Sequence, residues 1–128
     1  MTPGPARLWR ERCQACTGET PTLSAADALT LKSELDAEWS VEGDRLRRRY
    51  PFANFASAFA LATRAALLAE REGHHPDLRV GWGYLEVELT THAAGGLTRN
   101  DFIMAAKLDQ AVRHPHGGYS LPISPSAP

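Results

Sequence analysis

The chain has 128 residues, with 14 Lys and Arg against 15 Asp and Glu and a net charge of -1. That length predicts one domain, and the near-neutral charge argues against a broad basic grip on nucleic acid. No apolar run approaches the roughly 18 residues of a membrane span. Met1 to Arg12 holds three arginines and no apolar stretch, so a secretory signal is not expected. With two cysteines a disulfide scaffold is excluded, and a cytoplasmic single-domain protein is expected.

The first 21 residues carry three prolines, two glycines and no periodicity, which predicts a loose arm. The last fifteen, 114–128, are likewise rich in proline and glycine and predict a loose tail. The folded domain is expected over 22–113. Ser24 is an N-cap with Asp27 three residues on, opening a helix over about Ala25 to Ala37. Trp39–Val41 and Leu46–Phe52 flank Gly43-Asp44 as a β-hairpin. Leu46, Tyr50 and Phe52 share one face of it, and Arg45, Arg47 and Arg49 the other. Arg48 breaks the alternation, with a stem long enough to carry its charge to solvent.

Asn54 caps a second helix whose stripe is Phe55, Phe59, Ala62, Ala66 and Ala69, widened by Ala58, Leu61, Ala65 and Leu68. Gly73 is placed to end it. Leu78–Val80 and Gly83–Thr90 follow as strands, Gly95-Gly96 as a turn, and Thr98 with Asp101 as the cap of a third helix with Ala105, Leu108 and Val112 inward. The order α-β-β-α-β-β-α predicts an α+β layer, an antiparallel sheet with helices on one face.

Three histidines stand at element ends, where catalytic side chains concentrate: His74 and His75 after the second helix, His92 after the long strand. Imidazole exchanges protons near neutral pH; the alternative is surface or structural histidines. A metal is disfavoured, because adjacent histidines have poor geometry for one ion and no HExxH is present. Cys13-x-x-Cys16 is half a zinc knuckle or a redox pair, completed only if His114 and His116 came to it, or else two reduced thiols. No phosphate loop and no GxSxG occurs.

The spacing Glu70-x-x-x-His74-His75-Pro76, then Trp82, His92 and Asp101, resembles the signature of the pterin-4a-carbinolamine dehydratases. Trp39, Phe52-x-Asn54-Phe55, Ala58-Phe59, Thr91-His92, Gly96-Leu97 and Asn100-Asp101-Phe102 fit the same pattern, over about Leu23 to Val112. Cys13-x-x-Cys16 also resembles a feature of bacterial members. The resemblance implies a four-stranded antiparallel sheet with three helices on one face. It implies a hydro-lyase that removes water from 4a-hydroxytetrahydropterin to give quinonoid dihydropterin, with no metal or other cofactor. Such an enzyme recycles the pterin of aromatic amino-acid hydroxylases, a functional link to phenylalanine hydroxylase. By resemblance His74, His75 and His92 are the catalytic residues, His74 and His92 as the acid–base pair and His75 binding or orienting the pterin or sharing in proton transfer. Asp101 orients a histidine or binds the polar edge of the substrate, as well as capping its helix. Glu70 supports His74 or is an exposed helix residue, Pro76 fixes the loop, and Trp39 either stacks on the pterin or lies in the core. A homodimer or homotetramer is implied. The alternatives are a divergent homologue in pterin or molybdopterin metabolism and a non-catalytic binding or dimerisation module.

Overall fold

The computed structural model describes residues 5–113. The expected tail over 114–128 lies outside the described residues, as do the first four residues of the expected arm. After a 3-10 helix, Pro5–Arg10, come α1 (Ala25–Lys32), β1 (Ser40–Glu42), β2 (Arg45–Pro51), α2 (Phe55–Glu72), β3 (Asp77–Gly81), β4 (Tyr84–Leu89) and α3 (Arg99–Arg113). The four strands form one antiparallel sheet in the order β1-β2-β4-β3. This is the α+β architecture that the element order predicts.

The pleat sorts the sheet into two faces. Leu46 pairs with Leu89, Arg48 with Val87 and Tyr50 with Leu85. Leu46, Tyr50, Leu85, Val87 and Leu89 are buried under the helices together with Phe102, Ile103, Met104, Ala105 and Leu108 of α3. On the other face Arg47 pairs with Glu88, Arg49 with Glu86 and Arg79 with Glu86. These cross-strand ion pairs close at 3.2 Å for Arg47–Glu88 and 3.1 Å for Arg49–Glu86. As exposed pairs they contribute little each, but they keep the outer face polar.

The caps follow the sequence. Ser24 Oγ accepts from Asp27 N at 3.1 Å, and Asn54 Oδ1 accepts from Ser57 N at 2.8 Å. Gly73 ends α2 at φ 68°, a left-handed conformation that L side chains rarely adopt.

Five expectations are corrected. Helix α1 stops at Lys32 rather than Ala37, because successive turns of the i→i+3 type, Glu34 N to Leu31 O and Leu35 N to Lys32 O, tighten its end. In α2 the packed stripe is Ala58, Leu61, Ala62, Ala65, Leu68 and Ala69, while Phe55, Phe59 and Ala66 face outward and Phe59 is 54% exposed. Helix α2 is apolar on both flanks, and the flank that packs is the alanine-rich one, which lets the backbone approach its neighbours closely. Val112 also proves exposed. Arg48 does not reach solvent: its Nη1 donates to Asp109 Oδ1 at 2.8 Å and Asp36 Oδ2 at 3.0 Å, with the guanidinium stacked 4.2 Å over the Tyr50 ring.

The fifth correction concerns the N-terminal arm. Residues 8–16 are tied to the fold rather than loose, while most of residues 17–21 are exposed. Leu8 is 1% exposed in the core, Lys107 Nζ donates to Trp9 O at 2.9 Å, and Arg99 grips Glu11 through two bonds of 2.7 Å. Composition misses this because a single buried leucine and a few backbone bonds leave no periodic signal.

Candidate functional site

The site forms where the end of α2, the loop after β4 and the start of α3 meet. Gly73 turns the chain sharply after α2, so that consecutive histidines go different ways. His74 is buried and His75 exposed. The first turn of α3 brings Asp101 under His74, and its carboxylate is fully buried, with 0% exposure.

Asp101 is held by three donors. Thr91 Oγ1 donates to Oδ2 at 2.8 Å, the Thr98 amide donates to the same oxygen at 3.0 Å, and His74 Nε2 lies 2.6 Å from Oδ1. Thr98 Oγ1 and Thr91 Oγ1 share a further bond of 2.8 Å. A carboxylate accepts only, so His74 carries its proton on Nε2 and Nδ1 is the nitrogen left to exchange protons. The Thr98 amide bond is the expected capping-box contact of Asp101. Capping and histidine orientation are therefore two oxygens of one side chain.

His92 follows Thr91 directly. The loop is pinned by the Thr91 carbonyl, which accepts from Ala94, Gly95 and Gly96 at 2.9–3.3 Å, and by Gly95 N to His92 O at 3.1 Å. The His92 side chain is exposed. His75 Nε2 lies 2.5 Å from Glu70 Oε2, both side chains being open to solvent. Glu70 therefore partners His75, not His74, because the left-handed turn at Gly73 sends His74 inward and away from it. Pro76 is half-buried between His75 and β3.

Trp39 does not join this group. It is 1% exposed, edge-on to Tyr50, with Nε1 donating to Asp109 Oδ2 at 2.9 Å. Asp109 lies eight residues beyond Asp101 on α3, about 12 Å along the helix. Of its two expected places Trp39 takes the core, where it has no face to offer a ligand. Its partner Asp109 also binds Tyr50 Oη at 2.7 Å. Burial raises the Asp109 carboxyl above its ordinary range, against the opposing pull of the Tyr50 and Trp39 donors and of Arg48. The same burial pushes the Tyr50 hydroxyl up.

Thr91 and Thr98 are site residues that chemistry alone does not single out, since a lone threonine before a histidine carries no spacing signal. The cysteine sulfurs close on Asn100, not on His74, His75 or His92, and His114 and His116 lie outside the described residues. Cys13 Sγ donates to Asn100 O at 3.7 Å, and Asn100 Nδ2 donates to Cys16 Sγ at 3.2 Å. Among the described residues no three His, Cys, Asp or Glu side chains are grouped closely enough to hold a metal ion. Nor is any helix long and apolar enough to cross a membrane.

The model of the family described as pterin 4 alpha carbinolamine dehydratase matches residues 21–111. The chain belongs to this family. A protein of Rickettsia canadensis named "Putative pterin-4-alpha-carbinolamine dehydratase" is 42% identical over 106 residues, covering 82% of this chain and 97% of that one. One of the same name from Methylococcus capsulatus is 42% identical over 105 residues, covering 80% and 91%. Among solved structures, a transcriptional coactivator/pterin dehydratase from Brucella melitensis superposes with a TM-score of 0.66 at 30% identity, covering 70% of this chain and 96% of that one. The match encloses His74, His75, His92 and Asp101. Most of the packed N-terminal segment precedes it.

Proposed function

We propose that this chain is a hydro-lyase acting on 4a-hydroxytetrahydropterin. The reaction breaks the C4a–O bond and removes the N5 proton, giving quinonoid dihydropterin and water. Oxidation state is unchanged across the step, so proton transfer suffices and no nicotinamide, flavin or metal cofactor is called for. The observation that supports this best is the buried His74–Asp101 pair. Asp101 fixes the Nε2–H tautomer and leaves Nδ1 as the nitrogen that takes a proton. That suits His74 to the N5 proton and leaves His92, exposed on its pinned loop, to protonate the departing hydroxyl. His75, steadied by Glu70, binds or orients the pterin. Such an enzyme serves the pterin cycle of aromatic amino-acid hydroxylases, phenylalanine hydroxylase among them, in the cytoplasm. Association into a homodimer or homotetramer is in keeping with the outward Phe55 and Phe59, whose rings lie 6.0 Å apart.

The test is the ultraviolet absorbance change on dehydration of 4a-hydroxytetrahydropterin, with and without the protein. His74→Ala and His92→Ala should each lower kcat, within the about 10²–10⁴-fold that placed acid–base groups supply. The double variant should lose less than the product, since both act in one step. His75→Ala should mainly raise KM. Wild-type kcat and KM in both single alanine variants would place the chemistry elsewhere.

A further inference from the structure

The two residues of the buried pair sit on different elements, His74 just past the end of α2 and Asp101 in the first turn of α3. A short piece of the N-terminal segment bridges those two ends. The Cys13 amide donates to Glu72 Oε1 at 3.0 Å, and Glu72 is the last residue of α2, two before His74. One residue on, the Gln14 amide donates to Asn100 Oδ1 at 2.9 Å while Asn100 Nδ2 returns a bond to Gln14 O at 2.6 Å. Asn100 immediately precedes Asp101. The cysteine sulfurs close on the same residue, Cys13 on its carbonyl and Cys16 on its amide.

Glu72 is anchored in turn by charge, with Oε2 at 3.3 Å from Arg12 Nε and 3.6 Å from Lys107 Nζ. Its side chain is almost wholly buried. Burial alone would raise its carboxyl, but the Cys13 amide, Lys107, Arg12 and Arg71 outweigh it and hold it below the ordinary carboxylate range. Glu72 therefore stays a charged acceptor at neutral pH.

We propose that residues 12–16 act as a positioning strap, joining Glu72 to Asn100 and so setting the approach of His74 to Asp101. Adjacent amides, Cys13 and Gln14, reach the two elements, so the span between them is one residue of backbone and has little freedom to stretch. The strap touches neither histidine nor substrate, and it acts only through the pair. This explains why a non-periodic segment is packed against the fold at this end of α3. The inference rests on the dehydratase reading for its kinetic consequence, but not for its structural one.

The test uses the full chain carrying Asn100→Ala, which removes all three side-chain bonds of Asn100, and Glu72→Gln, which is isosteric and removes only the charge at the other tie. Nitrogen-15 spectra of the His74 ring report its tautomer without substrate. The wild type should show Nε2–H alone, and both variants a mixture of tautomers. In the dehydration assay kcat should fall about tenfold in each, inside the roughly 10²-fold that a 1 Å misplacement costs, with KM nearly unchanged. A residue that merely stabilises the fold would lower the melting temperature and leave both the His74 spectrum and kcat per folded molecule as they were. That outcome in Asn100→Ala overturns the strap, and should Asn100→Ala not fold, the same outcome in Glu72→Ala, which removes the acceptor of the Cys13 amide, overturns it. A wild type without dehydratase activity sinks the functional reading alone, because the His74 spectra still decide the strap.

Discussion

Replacing Asp101 by Asn tests the joint of the fold and the proposed chemistry. The carboxylate accepts from three donors: His74 Nε2 and, on the other oxygen, the Thr91 hydroxyl and the Thr98 amide. Asparagine keeps one acceptor oxygen and presents an NH2 in place of the other. If the oxygen stays toward Thr91 and Thr98, the NH2 meets His74 Nε2 and forces it to accept. The ring must then carry its proton on Nδ1, the position that the proposed reaction needs as a base. The opposite orientation saves the tautomer but confronts the Thr98 amide with another N–H, and a buried unpaired donor costs about 1–3 kcal/mol. The first orientation therefore wins. Asn caps helices as well as Asp, so the stability lost is that of one charged hydrogen bond, about 1.5–3 kcal/mol. The kinetic loss is larger in effect: kcat should fall about 10²-fold, the lower end of the acid–base range, equivalent to about 2.7 kcal/mol of barrier. Urea unfolding and the absorbance assay measure the two separately. A folded Asp101→Asn enzyme with wild-type kcat would refute the tautomer argument, since no orientation of the amide keeps all three contacts with His74 protonated on Nε2.

Trp39→Phe should lower stability by about 1.5–3 kcal/mol through the lost bond to Asp109, leaving kcat and KM unchanged; a raised KM would return Trp39 to the substrate. Ala65 is buried and its neighbour Ala66 exposed, so Ala65→Leu should cost about 1–3 kcal/mol by overpacking and Ala66→Leu less than about 0.5, by urea titration. Burial, with the Glu72 charge adding to it, pushes the Cys13 thiol up to about 12. At pH 8 its thiolate is then about one part in 10⁴, and in a Cys16→Ser variant iodoacetamide should label Cys13 only on unfolding. Glu72 has a lowered pKa, so its contribution is present above the unfolded value of about 4.3 and lost as pH falls through the folded one. The stability difference between wild type and Glu72→Gln should be widest at neutral pH and vanish on strong acidification.

How far the sequence speaks depends on whether a residue's neighbours are local. The strands, caps and turns are local matters, and Ser24, Asn54, Gly73 and the alternation of β4 are legible one by one. The face of α2 is not, because phenylalanine and alanine are both apolar and only the closeness of the sheet chooses between them. Asp101 is legible as a cap, since Thr98 is three residues away, and its bond to His74 enters only through the family resemblance, being 27 residues distant in sequence. Arg48 and Asp109 lie 61 residues apart. Alternation shows that Arg48 points inward but gives no sign of the carboxylate that receives it. The same limit hides the packed segment over residues 8–16: two of its ties are backbone amides meeting Glu72 and Asn100, and a backbone amide carries no sequence signal.

The burial of Asp101 follows from this division of labour. An isolated carboxylate at that depth would be severely destabilising, and three donors offset the cost only while all are in place. Two of them, the Thr98 amide and the Thr91 hydroxyl, depend on the first turn of α3 and the loop after β4 being correctly closed. The third comes from His74 at the end of α2. The carboxylate is thus satisfied only when the three elements that carry the proposed site have converged. Misplacing any one of them leaves a buried charge short of a partner, a penalty the unfolded chain does not suffer. Folding of this corner and alignment of His74 are therefore one event, and variants that loosen the corner should lose stability and His74 tautomer purity together.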